Sequence, residues 1–264
     1  MGGTPPAYDD DDWELYGPDD WSQTKDLSKE NPEKLHELQR LFVIEATRYG
    51  VLPLDDRRVE RFNPDIAGRP TLIHGNSQIL FGGMGRLTEN TVLNIKNKSH
   101  SVTAEIVVPE GGANGVLVAQ GGAFGGWSLY LHDGRPVYCY NLAGLSQTKV
   151  RGEQPVSAGE HQVRMEFVYD GGGLAKGGDV TLFVDGEKAG EGRLEITQPM
   201  IFSGDETTDV GSDGATPVSD EYGPKDSGFT GEVAWVQIDI DEAAEDLDHL
   251  ITAEDRWRIA MARQ

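Results

Sequence analysis

Two segments, Trp127-Ser-Leu-Tyr-Leu-His-Asp-Gly134 and Asp179-Val-Thr-Leu-Phe-Val-Asp-Gly186, decide the fold class. In each of them apolar residues recur at every second position, and the run ends in Asp-Gly. Alternation of this kind predicts a half-buried β-strand, and Asp-Gly favours the two-residue turn of a β-hairpin. Each segment therefore predicts a strand that turns back directly into an antiparallel partner.

Further short runs of the same kind extend from Leu72 to Ile240. The chain has 34 glycines and few long apolar runs, which favours short strands joined by tight turns over a helical bundle. So many strands at this spacing predict a mainly β fold, either a sandwich or a barrel. The predicted strands cover residues 78–81, 92–95, 102–108, 115–119, 127–131, 137–140, 161–168, 180–184 and 233–240.

The region before the strands predicts a helical arm. Asn31 is suited to cap a helix that begins at Pro32, and Gly50 is suited to end it, so a helix is expected over residues 32–49. Residues 13–16 predict a short strand, and residues 51–70 an extended arm. The acidic residues 1–12 are expected to be mobile. After the sandwich, Thr252 is a candidate cap for a short C-terminal helix.

The net charge of −22 is concentrated in residues 1–30 and 205–255. Such an acidic surface repels phosphate backbones and anionic lipid headgroups, so no nucleic-acid or membrane partner is expected. No apolar run approaches the length of a membrane span, and the N-terminus has no signal-peptide pattern. We therefore expect a soluble chain in the cytoplasm.

The sandwich region resembles a known superfamily. The order of residues 127–134, a strand at residues 161–169 and the Val-Asp-Gly hairpin at residues 184–186 is similar to the laminin-G and concanavalin-type jelly roll, over residues 72–240. The resemblance implies a jelly-roll β-sandwich, with sugar binding as a corollary.

A second resemblance covers nearly the whole chain. Trp13-Glu-Leu-Tyr16, Asn31-Pro-Glu-Lys-Leu35 and Val51-Leu-Pro-Leu-Asp-Asp-Arg57 resemble the C-terminal region of sulfatases. The arm, the sandwich and residues 202–213 resemble the extension of large actinobacterial arylsulfatases. The resemblance implies a sulfatase subdomain remnant at residues 13–71, the sandwich at 72–240 and a helical tail at 241–264. It also implies a partner, which is a sulfatase catalytic domain or subunit, or another copy of this chain.

The sulfatase nucleophile is absent from the chain. That family makes formylglycine from the first residue of a C/S-x-P-x-R motif, whereas Cys139 is followed by Tyr140-Asn-Leu-Ala143. No catalytic residue is therefore carried over, and an accessory, non-catalytic region is expected. The histidines are scattered, and none is indicated as a catalytic base. The glycine-rich segment Gly121-Gly-Ala-Phe-Gly-Gly126 lies between two predicted strands, which argues against a nucleotide site. A carbohydrate-binding module is the alternative function, and an enzyme of another kind is a third.

Four aromatic residues are candidates for sugar stacking. Trp127, Tyr130, Tyr138 and Tyr140 offer ring faces to a sugar if they point outward, and they fill the core if they point inward. Alternation places Tyr138 and Tyr140 on one face of their strand and Cys139 on the other. At least one of these sets is therefore expected to be buried.

The acidic loop at residues 204–226 is the candidate metal site. Carboxylates are the hard oxygen ligands that calcium prefers, and the glycines allow the loop to curl round an ion, although the spacing differs from an EF-hand. Two alternatives remain open: the side chains cap the turns of their own loop, or the loop docks on a catalytic domain. The candidate calcium ligands are Asp205, Glu206, Asp209, Asp213, Asp220 and Asp226.

Overall fold

The computed structural model describes residues 10–54, 58–68, 70–244 and 248–262, and the chain divides into two units, Met1–Arg61 and Phe62–Gln264. The first unit is built on one helix, and the second contains the strands. Most of the segment expected to be mobile, residues 1–9, lies outside the described residues.

The main helix of the first unit, α1, spans Pro32–Arg48. Proline at its first turn and Glu33 near the positive end of the helix dipole favour a start at this point. Asn31 occupies the cap position, but its side chain makes no capping hydrogen bond, so that detail of the prediction is wrong. The helix ends one residue earlier than predicted, and Gly50 follows with a left-handed φ of 66°.

The strand predicted at residues 13–16 is wrong, because among the described residues no strand pairs with this segment. Its hydrogen bonds include Leu27 N–H donating to the Leu15 carbonyl at 2.7 Å and Leu15 N–H donating to Asp26 Oδ1 at 2.9 Å. The Trp13 ring meets Phe42 of α1 edge-on, with centroids 5.6 Å apart.

The arm is not extended throughout, contrary to the prediction. It forms a 3₁₀ turn at Val59–Phe62 and a short helix, α2, at Pro64–Ala67. Local capping explains α2, since the Asn63 side chain accepts a hydrogen bond from Asp65 N–H at 3.1 Å and Gly68 ends the helix at φ 66°.

The second unit is a sandwich of two antiparallel sheets, which confirms the predicted mainly β, jelly-roll fold class. The strand order is β1-β11-β2-β7-β8-β9 in the six-stranded sheet and β10-β3-β4-β5-β6 in the five-stranded sheet. The strands are β1 Ser77–Phe81, β2 His100–Val108, β3 Gly115–Gly122, β4 Gly125–His132, β5 Arg135–Leu142, β6 Ser146–Arg151, β7 Gly159–Tyr169, β8 Gly178–Val184, β9 Glu187–Leu194, β10 Thr208–Val210 and β11 Glu232–Ile240.

The two Asp-Gly pairs form the expected hairpin turns. Asp133 and Gly134 have φ of 51° and 74°, and Asp185 and Gly186 have φ of 52° and 81°. Positive φ at both central residues is the type I′ geometry that matches strand twist. These turns connect β4 to β5 and β8 to β9.

One predicted strand, at residues 92–95, is absent. A 3₁₀ turn at Glu89–Thr91 precedes this segment. The Gln78 side chain makes the backbone hydrogen bonds here that a neighbouring strand would otherwise make. Gln78 Nε2 donates to the Thr91 carbonyl at 3.0 Å, while Leu93 N–H donates to Gln78 Oε1 at 2.7 Å. The segment is therefore buried without joining a sheet.

The C-terminal helix, α3, spans Ala253–Ala262 and confirms the predicted tail. Thr252 Oγ1 donates to Asp255 Oδ2 at 2.6 Å, and Asp255 N–H donates back to Thr252 Oγ1 at 3.2 Å. Ahead of α3, the Ile251 backbone makes two hydrogen bonds with the Gln162 side chain of β7. Among the described residues, no helix is long and apolar enough to cross a membrane.

Candidate functional site

The four candidate aromatic rings lie in the interior. Trp127 and Tyr138 are fully buried, Tyr130 is 1% exposed and Tyr140 is 5% exposed. Trp127 Nε1 donates to Gln120 Oε1 at 3.0 Å, and the Tyr140 hydroxyl accepts from Gln198 N–H at 2.7 Å. The structure therefore places these four rings in the interior, as the second alternative stated, and they present no open face to a sugar.

The rings divide between two apolar clusters, as alternation predicted. Trp127, Tyr138 and Tyr140 belong to the core between the sheets. Tyr130 and Cys139 belong to a second cluster on the outer face of the five-stranded sheet. Burial raises the pKa of the Cys139 thiol to about 11, so this cysteine is a packed side chain and a poor nucleophile.

A segment that we call the strap, residues 211–228, covers this outer face. Val218 is fully buried against the second cluster, and the Tyr222 ring meets Tyr130 edge-on with centroids 5.2 Å apart. Within the acidic loop, Thr208–Val210 pairs with β3 as strand β10, and the strap follows directly after this strand.

Ion pairs with strand β6 hold the middle of the strap. Lys149 contacts Asp220, and Arg151 contacts Glu221. The Tyr130 hydroxyl donates to Glu221 Oε2 at 2.6 Å. Burial alone would raise the pKa of Glu221, but the Arg151 and Tyr130 hydrogen bonds outweigh it and hold the pKa below its usual value.

Asp213 lies near the start of the strap and is 2% exposed. Its Oδ2 accepts hydrogen bonds from Val218 N–H at 2.9 Å and from the Tyr222 hydroxyl at 2.7 Å, and neither donor is a cation. Burial raises the pKa of Asp213 to about 6, and the carboxylates of Asp209 and Glu206 act in the same direction. The strap therefore contains a buried carboxyl group, that of Asp213, which resists ionisation.

The six candidate calcium ligands are distributed along the loop and the strap. Glu206 Oε1 accepts from Thr216 Oγ1 at 2.7 Å, and Asp209 Oδ1 accepts from Arg86 N–H at 2.7 Å. Within residues 10–54, 58–68, 70–244 and 248–262, no three His, Cys, Asp or Glu side chains are grouped so as to hold a metal ion. The observed bonds correspond to the turn-capping alternative. The remaining ligands are Asp205 beside Ser203, Asp213 in the strap, Asp220 beside Lys149, and the exposed Asp226.

A groove of about 590 Å³, which sequence reasoning missed, opens elsewhere on the second unit. We call it the arm groove, because residues 62–68 and 70–75, at the end of the arm and just after it, form one side, the arm wall. Residues 88–98 and 201–207 also line the groove, and we call these two stretches the floor and the opposite wall. Its volume lies within the roughly 300–1,000 Å³ of small-ligand sites. No motif marks it, because its polar groups come from three separate stretches of the chain.

Hydrogen bonds fix the arm wall of the groove. Asn63 Nδ2 donates to the Pro199 carbonyl at 2.7 Å. Asp65 Oδ2 accepts from Asn94 Nδ2 and from Lys98 Nζ, both at 2.9 Å. The arm wall is thereby tied to the floor, and Asn63 next to this wall is tied to Pro199.

The floor carries a buried ion pair. The Lys96 ammonium is paired with Glu89 and lies 4.8 Å from the centroid of the Phe202 ring. Burial lowers the pKa of Lys96 even though Glu89 favours the charged form. Glu89 Oε2 also accepts from Phe202 N–H at 2.9 Å, so one carboxylate joins the floor to the opposite wall.

One further cluster has the order of a hydrolytic triad. Ser157 Oγ is 3.1 Å from His161 Nε2, and His161 Nδ1 is 2.6 Å from Asp185 Oδ2. Asp185 Oδ1 also accepts from Gln162 N–H at 2.8 Å. These bonds tie the β8–β9 turn to strand β7, which accounts for the cluster in structural terms. Sequence reasoning missed it because Asp185 is 24 residues from His161.

The first unit exposes apolar side chains. Leu41 is 50% exposed and Ile44 is 62% exposed, three residues apart on α1. The segment after the helix adds three more: Val51, Leu52 and Leu54. We call these five residues the apolar patch. Leu41 and Ile44 are neighbours on one face of α1, and apolar side chains exposed side by side are a feature of interaction sites in soluble proteins.

No protein-family model matches the chain, and no curated protein matches it. Solved structures with similar folds include a SAP-like pentraxin from Limulus polyphemus, 13% identical, with a TM-score of 0.35 over 62% of this chain and 75% of the pentraxin. The CBM40 of a Ruminococcus gnavus IT-sialidase, bound to α2,3 sialyllactose, is 12% identical, with a TM-score of 0.40 over 72% and 99%. Domains LG4-5 of the mouse laminin α1 chain are 16% identical, with a TM-score of 0.38 over 65% and 40%.

Proposed function

We propose that the chain is a non-catalytic accessory region of an arylsulfatase and that it docks on the catalytic domain through its first unit. The observation that carries this proposal is the apolar patch, because Leu41, Ile44 and their neighbours gain stability only when another surface covers them. The patch lies in the unit that holds the three segments resembling sulfatases. Docking there stabilises the catalytic domain or shapes the entrance for the substrate.

The partner is a sulfatase catalytic domain rather than a second copy of this chain. A symmetric dimer would bring together two chains that each carry a net charge of −22, and like charges oppose such an association. A dimer that buries the patch would overturn this choice of partner.

The test is turnover of a chromogenic aryl sulfate by the isolated chain, by a matching catalytic domain, and by their mixture, each with and without calcium. We expect no turnover by the chain alone, and higher activity or a longer half-life of the catalytic domain in the mixture. Turnover by the isolated chain would contradict the proposal, as would a mixture that behaves as its separate components.

A second candidate function is an independent carbohydrate-binding module, and the arm groove is the observation that favours it. Its lining mixes apolar and polar side chains, which suits a sugar, since a sugar presents C–H groups as well as hydroxyls. Binding of neutral oligosaccharides, measured by calorimetry with and without calcium, tests this candidate. Binding heat that disappears when the groove residues are substituted would support this candidate. Absence of binding would exclude it.

A further inference from the structure

We infer that the arm groove receives a basic side chain, arginine above all, from a segment of the partner protein. The inference rests on the proposed docking function and names the chemistry of a second contact, outside the apolar patch. A guanidinium on an aliphatic stem requires a site with an apolar floor and carboxylates at the rim.

Four apolar residues of the groove lining supply the apolar part. Val92 and Leu93 are buried beneath the groove, and Ile73 and Ile240 line it from the side. Leu72 stands at the rim with 65% of its surface exposed, so an aliphatic stem entering the groove would cover it.

The charged residues of the groove determine whether a positively or a negatively charged ligand is favoured. Both lysines in its lining are already paired, Lys96 with Glu89 and Lys98 with Asp65. Asp205 and Glu206 on the opposite wall add two carboxylates without adding a cation. Among the described lining residues, four carboxylates therefore face two ammonium groups, and a cation is favoured over an anion.

Asp205 has the geometry to bind such a cation. It is exposed, and its Oδ1 accepts one hydrogen bond, from Ser203 Oγ at 3.2 Å, which leaves acceptor capacity on the carboxylate. Glu206 follows directly, held in place by Thr216. Carboxylates at a groove rim bind a guanidinium fork through charge-assisted hydrogen bonds.

The fixed walls make the contact specific. Asn63, Asn94 and Lys98 hold the arm wall, and Glu89 holds the opposite wall, so little ordering is needed when a ligand enters. The net charge of −22 adds a long-range attraction for basic segments.

The test uses the full chain and two fluorescent peptides, acetyl-Leu-Arg-Leu-Arg-amide and the same peptide with citrulline, the uncharged isostere, in place of arginine. The groove variant carries Asp205→Asn with Glu206→Gln, which keeps an acceptor oxygen for the hydroxyls of Ser203 and Thr216. The control variant carries Glu110→Gln with Glu160→Gln, which removes the same charge from exposed positions outside the groove.

We expect the arginine peptide to bind roughly tenfold more weakly to the groove variant than to the original chain, and with unchanged affinity to the control variant. The citrulline peptide should bind no better than the arginine peptide does to the groove variant. Equal binding of both peptides, or equal losses in both variants, would overturn the inference, as would a groove that binds a neutral oligosaccharide and no arginine peptide.

The two proposals fail separately. A chain that binds the catalytic domain through the apolar patch but shows no preference for arginine overturns only the groove contact. A chain that binds the arginine peptide in the groove but never binds the catalytic domain overturns the proposed function.

Discussion

At the scale of single residues, Asp213 best shows how the strap is built. A buried carboxylate costs free energy unless its charge is compensated, and the partners of Asp213 are a backbone amide and a tyrosine hydroxyl. Protonation removes that cost. Asp213 therefore makes the stability of the strap depend on pH.

Replacement of Asp213 by asparagine tests this dependence. With a pKa of about 6 in the folded chain and the ordinary 3.8 when unfolded, the folded state binds more proton between these values. The free energy of unfolding therefore falls as pH rises from 4 to 6, by up to about 3 kcal/mol for this residue. Asparagine keeps an acceptor for Val218 and Tyr222 without the charge.

We expect Asp213→Asn to be more stable than the original chain at pH 7.5, with the difference shrinking toward pH 4. Urea unfolding at several pH values measures this difference. Acidic residues with a lowered pKa, such as Asp170 and Glu221, act in the opposite direction, but they are common to both proteins and cancel. A stability difference that does not change with pH would contradict the account of Asp213.

The candidate site could be predicted from the sequence only in part, and the reason lies with individual residues. Alternation correctly placed Cys139 opposite Tyr138 and Tyr140, because the period of a strand is fixed. It could not say that the outer face is also covered, since Val218 reaches Tyr130 from 88 residues away. The groove depends on Asp65, Asn94 and Asp205, which no local pattern joins.

At the scale of elements, the strap can be tested through the only cysteine of the chain. Val218→Ala removes two methyl groups from the contact over Cys139, which weakens closure of the strap. We expect the thiol to react roughly tenfold faster with an aromatic disulfide reagent at fixed pH. Val168→Ala, at an exposed position of β7, is the matched control and should leave the rate unchanged. Equal rates in both variants would mean that the strap is not what protects the thiol.

The strands that sequence analysis missed share a physical cause. β6, β9 and β10 each lie at the end of a sheet. In β6, Ser146–Arg151, and β9, Glu187–Leu194, the exposed edge carries polar residues and the apolar alternation is lost, while β10 has three residues and is too short to show a period. Central strands such as β7 and β8 were predicted because one face packs in the core and the apolar alternation is kept. Residues 92–95 were mistaken for a strand because burial without pairing gives the same apolar run.

At the scale of the whole molecule, the division into two units predicts separate folding. The core between the sheets is formed by residues of the second unit, with Leu80 the first of its buried side chains. A fragment of residues 62–264 should therefore unfold cooperatively in urea, followed by fluorescence and by circular dichroism. Transitions that fail to coincide, or a gradual loss of signal, would show that the sandwich needs the first unit.

The central claim is that the first unit docks on a sulfatase catalytic domain, and sedimentation of the mixed proteins measures that most directly. We predict a complex of the full chain with the catalytic domain that is lost with Ile44→Glu, because a charge placed in the apolar patch cannot be buried. Leu145→Glu, at an exposed turn of the sandwich, should leave the complex intact. Failure of the original chain to form a complex, or an equal effect of both substitutions, would contradict the account.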